Sequence, residues 1–286
     1  MTGGIFVSIS KTIQSPIEVV QMRIQLMNEM VKQGKLDKAY NCIYDCIKQI
    51  YQKESIGGFW KGNFTNILRY FPNQAITFAF RGYFKKLNSR HKKNDGYYKW
   101  LAANIAYGGL ASSASLAITY SLDYARTKLI TDTTNPKTVC KQYSGLIDVY
   151  IQTLKSDGFE GLYRGFVISC LGIFIYRGLY FGLYDTFKPM LPEKQKNNFI
   201  LNFALGWGVT LIAGLISYPI DTIKRRMMMT SGTQVKYSGL LGCAKYIYLN
   251  EGIKHFFKGY GIQVFRGIAC AGAIQGYDYI QRLFTI

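Results

Sequence analysis

The chain has 286 residues, 49% of them hydrophobic, and its 35 Lys+Arg against 16 Asp+Glu give a formal net charge of +19. So basic a soluble protein would bind nucleic acid or anionic membranes, but here the bases lie among and beside long apolar stretches rather than in a solvated tail, which excludes a nucleic-acid-binding module. With two histidines and no nucleophile–base pair, zinc spacing or phosphate-binding loop, the sequence also excludes an enzyme.

In chain order, the first element is an apolar piece of a span that ends at Lys11 and already contains Met1, so this helix is short at its start. It has no basic n-region and no small-residue cleavage site, and it does not read as a secretory signal or transit peptide. Pro16-Ile-Glu18-Val-Val-Gln21 follows, then a polar loop. A short amphipathic helix is expected from Tyr40-Asn-Cys42, and the turn Trp60-Lys61-Gly62 opens a span over 63–80 around Arg69. The stretches 100–122 and 197–220 hold no charged residue, and each exceeds the roughly 20 residues that cross a bilayer core. Between them lie Ser121-Leu-Asp123-Tyr-Ala-Arg126, a second amphipathic helix from Tyr143-Ser-Gly145, and a span over 165–184 around Arg177. The last third contains Pro219-Ile-Asp221-Thr-Ile-Lys224, Tyr237-Ser-Gly239 and a span over 262–277 around Arg266. The mean hydropathy of +0.02 is low for such a chain. Spans that carry an ionisable residue are therefore expected to face a wet interior. The cysteines (Cys42, Cys46, Cys140, Cys170, Cys243 and Cys270) form no CxxC pair and read as small reduced hydrophobes.

These elements form a repeat. Glu54 to Gly62, Asp157 to Gly165 and Glu251 to Gly259 each run from an acid to an aromatic, a base and a glycine. With the Pro/Ser-x-acid and Tyr-x-Gly elements before them, they recur in one order with a period of roughly 100 residues. Each unit reads as a first span that ends at the Pro/Ser-x-acid element, a polar loop, a short amphipathic helix and a second span, with repeats over 1–88, 89–190 and 191–286. One unit cannot bury a polar face in lipid, so three must close around a shared axis, with both chain ends on one side.

Px[DE]xx[KR], followed by acid-Gly-x4-aromatic-base-Gly and repeated three times, resembles the mitochondrial carrier family over essentially the whole chain. Within that family the branch exchanging ADP for ATP is the most similar. Asp221-Thr-Ile-Lys224-Arg225-Arg226-Met227-Met228-Met229 is similar to its Arg-Arg-Arg-Met-Met-Met run, with Lys for the first Arg. Asn66-Ile-Leu-Arg69-Tyr-Phe-Pro72-Asn-Gln74, Gly172-Ile173-Phe-Ile-Tyr176-Arg177 and Ser10-Lys11-Thr12 agree as well. The resemblance implies an all-α membrane protein with six transmembrane helices in three pseudo-threefold repeats, each with a short matrix-side amphipathic helix. It implies an electrogenic antiporter of ADP and ATP, multi-pass in the inner membrane of a mitochondrion or a mitochondrion-derived organelle, with no cofactor or metal.

The residues support a nucleotide site on their own chemistry. Lys11, Arg69 and Arg266 lie on different spans, each inside an otherwise apolar stretch. Converging, they would hold phosphates by charge-assisted hydrogen bonds, Arg through its planar fork. The bland alternative is that each snorkels to an interface or pairs locally. Gly172, Ile173 and Tyr176 share a helix face, a shape that admits a flat base between Ile and Tyr. The resemblance implies adenine there, with Arg177 and Arg225 joining the phosphate-binding surface.

It also implies two gates. On the matrix side stand Glu18, Asp123, Arg126, Asp221 and Lys224, on helices kinked near proline; on the cytosolic side stand Lys85, Asp185, Lys188 and Asp278. Cardiolipin is the expected lipid partner at Gly62, Gly145, Gly165, Gly239 and Gly259, where free backbone N–H groups at helix N-termini favour phosphate. Cys42 replaces glycine in the first repeat.

Other departures thin the gates. Gln21 replaces a base, which leaves Glu18 one partner, and Ser121 replaces the second proline. Gly82 stands where an acid is expected, and Gln281 where a base is. These favour a second reading, a carrier-fold accessory subunit of a larger membrane assembly. The retained Lys11, Arg69, Arg266 and Tyr176 favour transport.

Overall fold

The structure, a computed structural model, describes residues 2–88, 97–133, 142–188, 190, 199–232, 237 and 239–267. Every regular element among the described residues is helical: α1 (Thr2–Lys32), α2 (Ile43–Glu54), α3 (Asn63–Asn88), α4 (Tyr97–Thr131), α5 (Leu146–Leu162), α6 (Phe166–Phe187), α7 (Phe199–Met229) and α8 (Leu240–Asn250), with 3-10 turns at Ile56–Trp60 and Ile253–Phe257 and a helical stretch over 260–267. Three of them are long and apolar enough to cross a membrane: Leu101–Thr131, Phe166–Tyr184 and Phe203–Met229.

The short helices α2, α5 and α8 start one residue after Cys42, Gly145 and Gly239. In all three repeats the residue after the motif acid takes positive φ and breaks the short helix. It is Ser55 in the first repeat, Gly158 in the second, where the break falls inside α5, and Gly252 in the third.

The first span of each repeat was expected to end at its Pro/Ser-x-acid element. Instead α1, α4 and α7 run on past Pro16, Ser121 and Pro219. Proline leaves the carbonyl four residues earlier without its helical donor. In α1 that carbonyl belongs to Thr12, and the Trp60 indole N–H donates to it at 3.0 Å. The motif aromatic thus repairs the ladder that the motif proline interrupts.

Two compact units are present, one of Met1–Phe71, Tyr120–Gly165 and Arg225–Ile286, the other of Pro72–Thr119 and Phe166–Lys224. The first draws on all three repeats. Its apolar core joins Val19, Leu26, Met30, Cys46 and Ile50 to Ile130, Met229 and Ile262. In the second unit a Cβ on Gly109 would overlap the Phe174 ring, so the absence of a side chain lets α4 and α6 meet there.

Candidate functional site

The buried face of α1 is polar as well as apolar. Gln14, Ser15, Glu18, Gln21, Gln25 and Glu29 are each at most 5% exposed. Glu18 sits at the centre of this face. It accepts from Arg126 on α4 in a short ion pair, from Arg266 at 3.1 Å and from the Asn66 amide at 3.3 Å. The expectation of one partner for Glu18 is therefore corrected. The missing base at Gln21 is made up by a cation from the third repeat, which sequence spacing did not connect to it.

Arg69 on α3 pairs with Asp123 on α4 at 3.4 Å. Lys11 stands 6.0 Å from the centre of the Tyr70 ring, with Glu18, Arg266, Arg69 and Arg126 as its electrostatic neighbours. Lys11, Arg69 and Arg266 are thus gathered about the acids Glu18 and Asp123. All three remain partly exposed. Gln21 donates from its amide to the Gln263 side-chain oxygen at 3.2 Å.

A second layer lies toward the short helices. The acid of each turn motif meets a base of the same motif or of the preceding long helix. Arg23 donates to both Glu54 oxygens, at 3.0 and 2.7 Å, and Lys61 reaches Glu54 at 3.0 Å. Arg226 grips Glu251 through two hydrogen bonds of 2.7 and 2.5 Å, and Asn28 and Lys32 of α1 join it. Asp157 accepts from Arg164, Ser231 and the backbone of Gly232. Burial would raise the Glu251 carboxyl, but the Arg226 hydrogen bonds and charge outweigh it and bring its pKa down to about 2.

Sequence reasoning did not single out Arg23 and Arg226 as bases of this layer, nor Lys128, which donates to the Met229 and Ser231 carbonyls. Their signal was a base seven residues past each Pro/Ser position. Part of the Arg-Met run is buried: Arg226 is 1% exposed, and Met228 and Met229 are fully buried. Arg225 remains half-buried beside it.

The second unit holds the base-stacking candidates. A Cβ on Gly172 would come within 3.2 Å of Ile220 on α7, so that space faces a packed aliphatic side chain. Ile173 is half-buried. Tyr176, Tyr180 and Tyr184 stack along α6 with ring centres 6.4 and 6.0 Å apart, and the Lys188 ammonium lies 5.1 Å from the Tyr184 ring. Arg177 donates to the Ser112 hydroxyl, close to the bare backbone of Gly108.

Asp221 and Lys224 are half-buried on α7 in this unit. The Lys85 and Asp185 side chains and the whole of Asp278 lie outside the described residues. Gly62, Gly145, Gly165, Gly239 and Gly259 each immediately precede a helix. Gly62 takes φ +72, and a Cβ there would meet the Arg126 side chain at 3.2 Å.

A family model described as mitochondrial carrier protein matches the chain three times, over residues 1–92, 98–195 and 195–286. The chain is 52% identical over 286 residues to ADP,ATP carrier protein 2, mitochondrial, of Zea mays, covering 99% of this chain and 74% of that protein. It is 50% identical over 285 residues to the ADP,ATP carrier protein of Neurospora crassa, covering 99% and 91%. It is 51% identical over 284 residues to ADP,ATP carrier protein 2, mitochondrial, of Arabidopsis thaliana, covering 98% and 74%. This chain belongs to the mitochondrial carrier family.

Proposed function

We propose that the protein exchanges ADP for ATP as a multi-pass carrier of the mitochondrial inner membrane, by alternating access and without chemistry on the nucleotide. The observation that carries the reading is the set of half-buried cations Lys11, Arg69 and Arg266 drawn up on two acids. Ion pairs of this kind hold the bases in place and remain exchangeable, because an incoming phosphate offers each guanidinium a bidentate acceptor in place of one carboxylate. Half-identity over nearly the full length to proteins named ADP,ATP carriers supports the substrate.

In this reading Lys11, Arg69 and Arg266 take the phosphates, with Arg177 and Arg225 contributing charge, while Gly172, Ile173 and Tyr176 offer a stacking face to adenine. Glu18, Asp123, Arg126, Asp221 and Lys224 serve the matrix gate, and Lys85, Asp185, Lys188 and Asp278 the cytosolic one. Six spans would cross the bilayer. Three have the length and apolar character to do so alone; α1, α3 and the helix beginning at residue 260 bring the polar residues. Cardiolipin phosphate would sit on the helix N-termini after Gly62, Gly145, Gly165, Gly239 and Gly259.

The test is nucleotide exchange by the purified protein in liposomes, wild type against Arg69→Ala. Exchange of ADP for ATP by the wild type, reduced at least about tenfold in the variant, is expected, since a charge-assisted bond is lost. No exchange by the wild type would sink the reading. Recovery of the protein in a stoichiometric membrane complex would then favour the accessory-subunit reading.

A further inference from the structure

Resting on the exchange reading, we propose that Ser112 on α4 is a positioning residue for the nucleotide. Its hydroxyl fixes the Arg177 guanidinium of α6 and thereby sets the affinity of the phosphate-binding surface, with little influence on turnover. Both residues are half-buried, and the guanidinium donates to the hydroxyl across the contact between the two helices.

The path of the arginine is set by α4 as well. A Cβ on Gly108 would lie 3.4 Å from Arg177 Nη1 and 3.9 Å from its Cδ, so the side chain runs over bare backbone on its way to Ser112. Gly108 and Ser112 are four apart and share one face of α4, while Phe174 and Arg177 are three apart and share one face of α6. The Phe174 ring takes the space that Gly109 leaves. The two α6 side chains therefore lodge against α4 together, and the aromatic holds the register in which the guanidinium meets the hydroxyl.

A hydroxyl and a carboxylate hold a guanidinium to different ends. Arg69 and Arg126 meet Asp123 and Glu18, acids that fix them and also offset their charge. The Ser112 oxygen accepts an N–H and carries no charge, so this contact gives direction without neutralising the cation. An unrestrained arginine loses rotamer freedom when a ligand fixes it; one already seated on α4 has lost that freedom before a phosphate arrives.

Exchange in liposomes tests this. Ser112→Ala should raise the KM for ADP about three- to tenfold, since the ligand must then order the released side chain, with turnover at saturating ADP within about twofold of the unsubstituted protein. Ser112→Thr keeps the hydroxyl and should bring KM back to within about twofold. In an Arg177→Ala background, Ser112→Ala should change KM by less than about twofold, because the group it holds is gone. An unchanged KM in Ser112→Ala, a loss confined to turnover, or a full effect without Arg177 would overturn the positioning role.

Binding in detergent separates this role from the exchange reading. ADP should raise the melting midpoint of the unsubstituted protein more than that of Ser112→Ala at the same concentration. Equal rises would overturn the positioning role and leave the exchange reading intact; no rise in the unsubstituted protein would overturn both. Absence of exchange by a protein that still binds ADP counts against the exchange reading alone, and the binding comparison then judges Ser112 without requiring transport.

Discussion

At Ser55 the backbone adopts φ 61 and ψ −168, a region that side-chain-bearing residues enter at a cost of about 1–3 kcal/mol. Glycine occupies the corresponding position of the other two repeats. Ser55→Gly is expected to stabilise the protein by about 1 kcal/mol, which would raise the thermal midpoint by roughly 2–4 °C. A midpoint that falls in detergent melting would show that the serine hydroxyl is worth more than the strain. The residue scale also governs Glu18. Glu18→Gln leaves Arg126 and Arg266 without their shared counter-charge and should destabilise by about 3 kcal/mol. The expected sign is a lowered denaturation midpoint; a rise would mean that solvent already satisfies both guanidinium groups.

Among the elements, α1 depends on a partner from the end of the turn motif. The Trp60 indole closes the gap that Pro16 opens at the Thr12 carbonyl. Trp60→Phe keeps most of the apolar surface and removes the donor, so a loss of about 1–2 kcal/mol is expected in thermal or denaturant unfolding. Loss of less than a few tenths would mean that water replaces the indole.

The C-terminal end of α7 is held from another repeat. The Lys128 amine donates to the Met229 carbonyl at 2.8 Å and to the Ser231 carbonyl at 2.5 Å. A cation is favourable where unpaired carbonyls gather. The short helices were legible in the sequence because their turn chemistry is local, whereas the lengths of α1, α4 and α7 were not. Proline stops a helix when its freed carbonyl goes unsatisfied, and whether a donor arrives is decided by a residue that, for Pro16, stands in the next motif.

On the scale of the whole molecule, Glu251 ties the third repeat to the first through Arg226, Asn28 and Lys32. Its folded pKa, about 2, lies below the ordinary 4.5. A depressed carboxylate contributes stability that is complete above about pH 4.5 and is lost as pH falls toward 2. Melting midpoints measured across that window should drop, and Glu251→Gln should flatten the acid limb while lowering the midpoint near neutrality. An acid limb that is unchanged in the variant would assign it to other carboxylates.

Repetition, charge-free stretches and turn residues were written in the sequence itself, because each depends on neighbours within one unit of the chain. So were the families of acids and bases at each motif. Which acid meets which base was not. Glu18 with both Arg126 and Arg266, Arg69 with Asp123, Gln21 with Gln263 and Arg226 with Glu251 are pairings among chemically interchangeable groups. Spacing along the chain leaves such pairings degenerate. The tertiary structure decided them, because only packed helices fix which charge lies within hydrogen-bond reach of another.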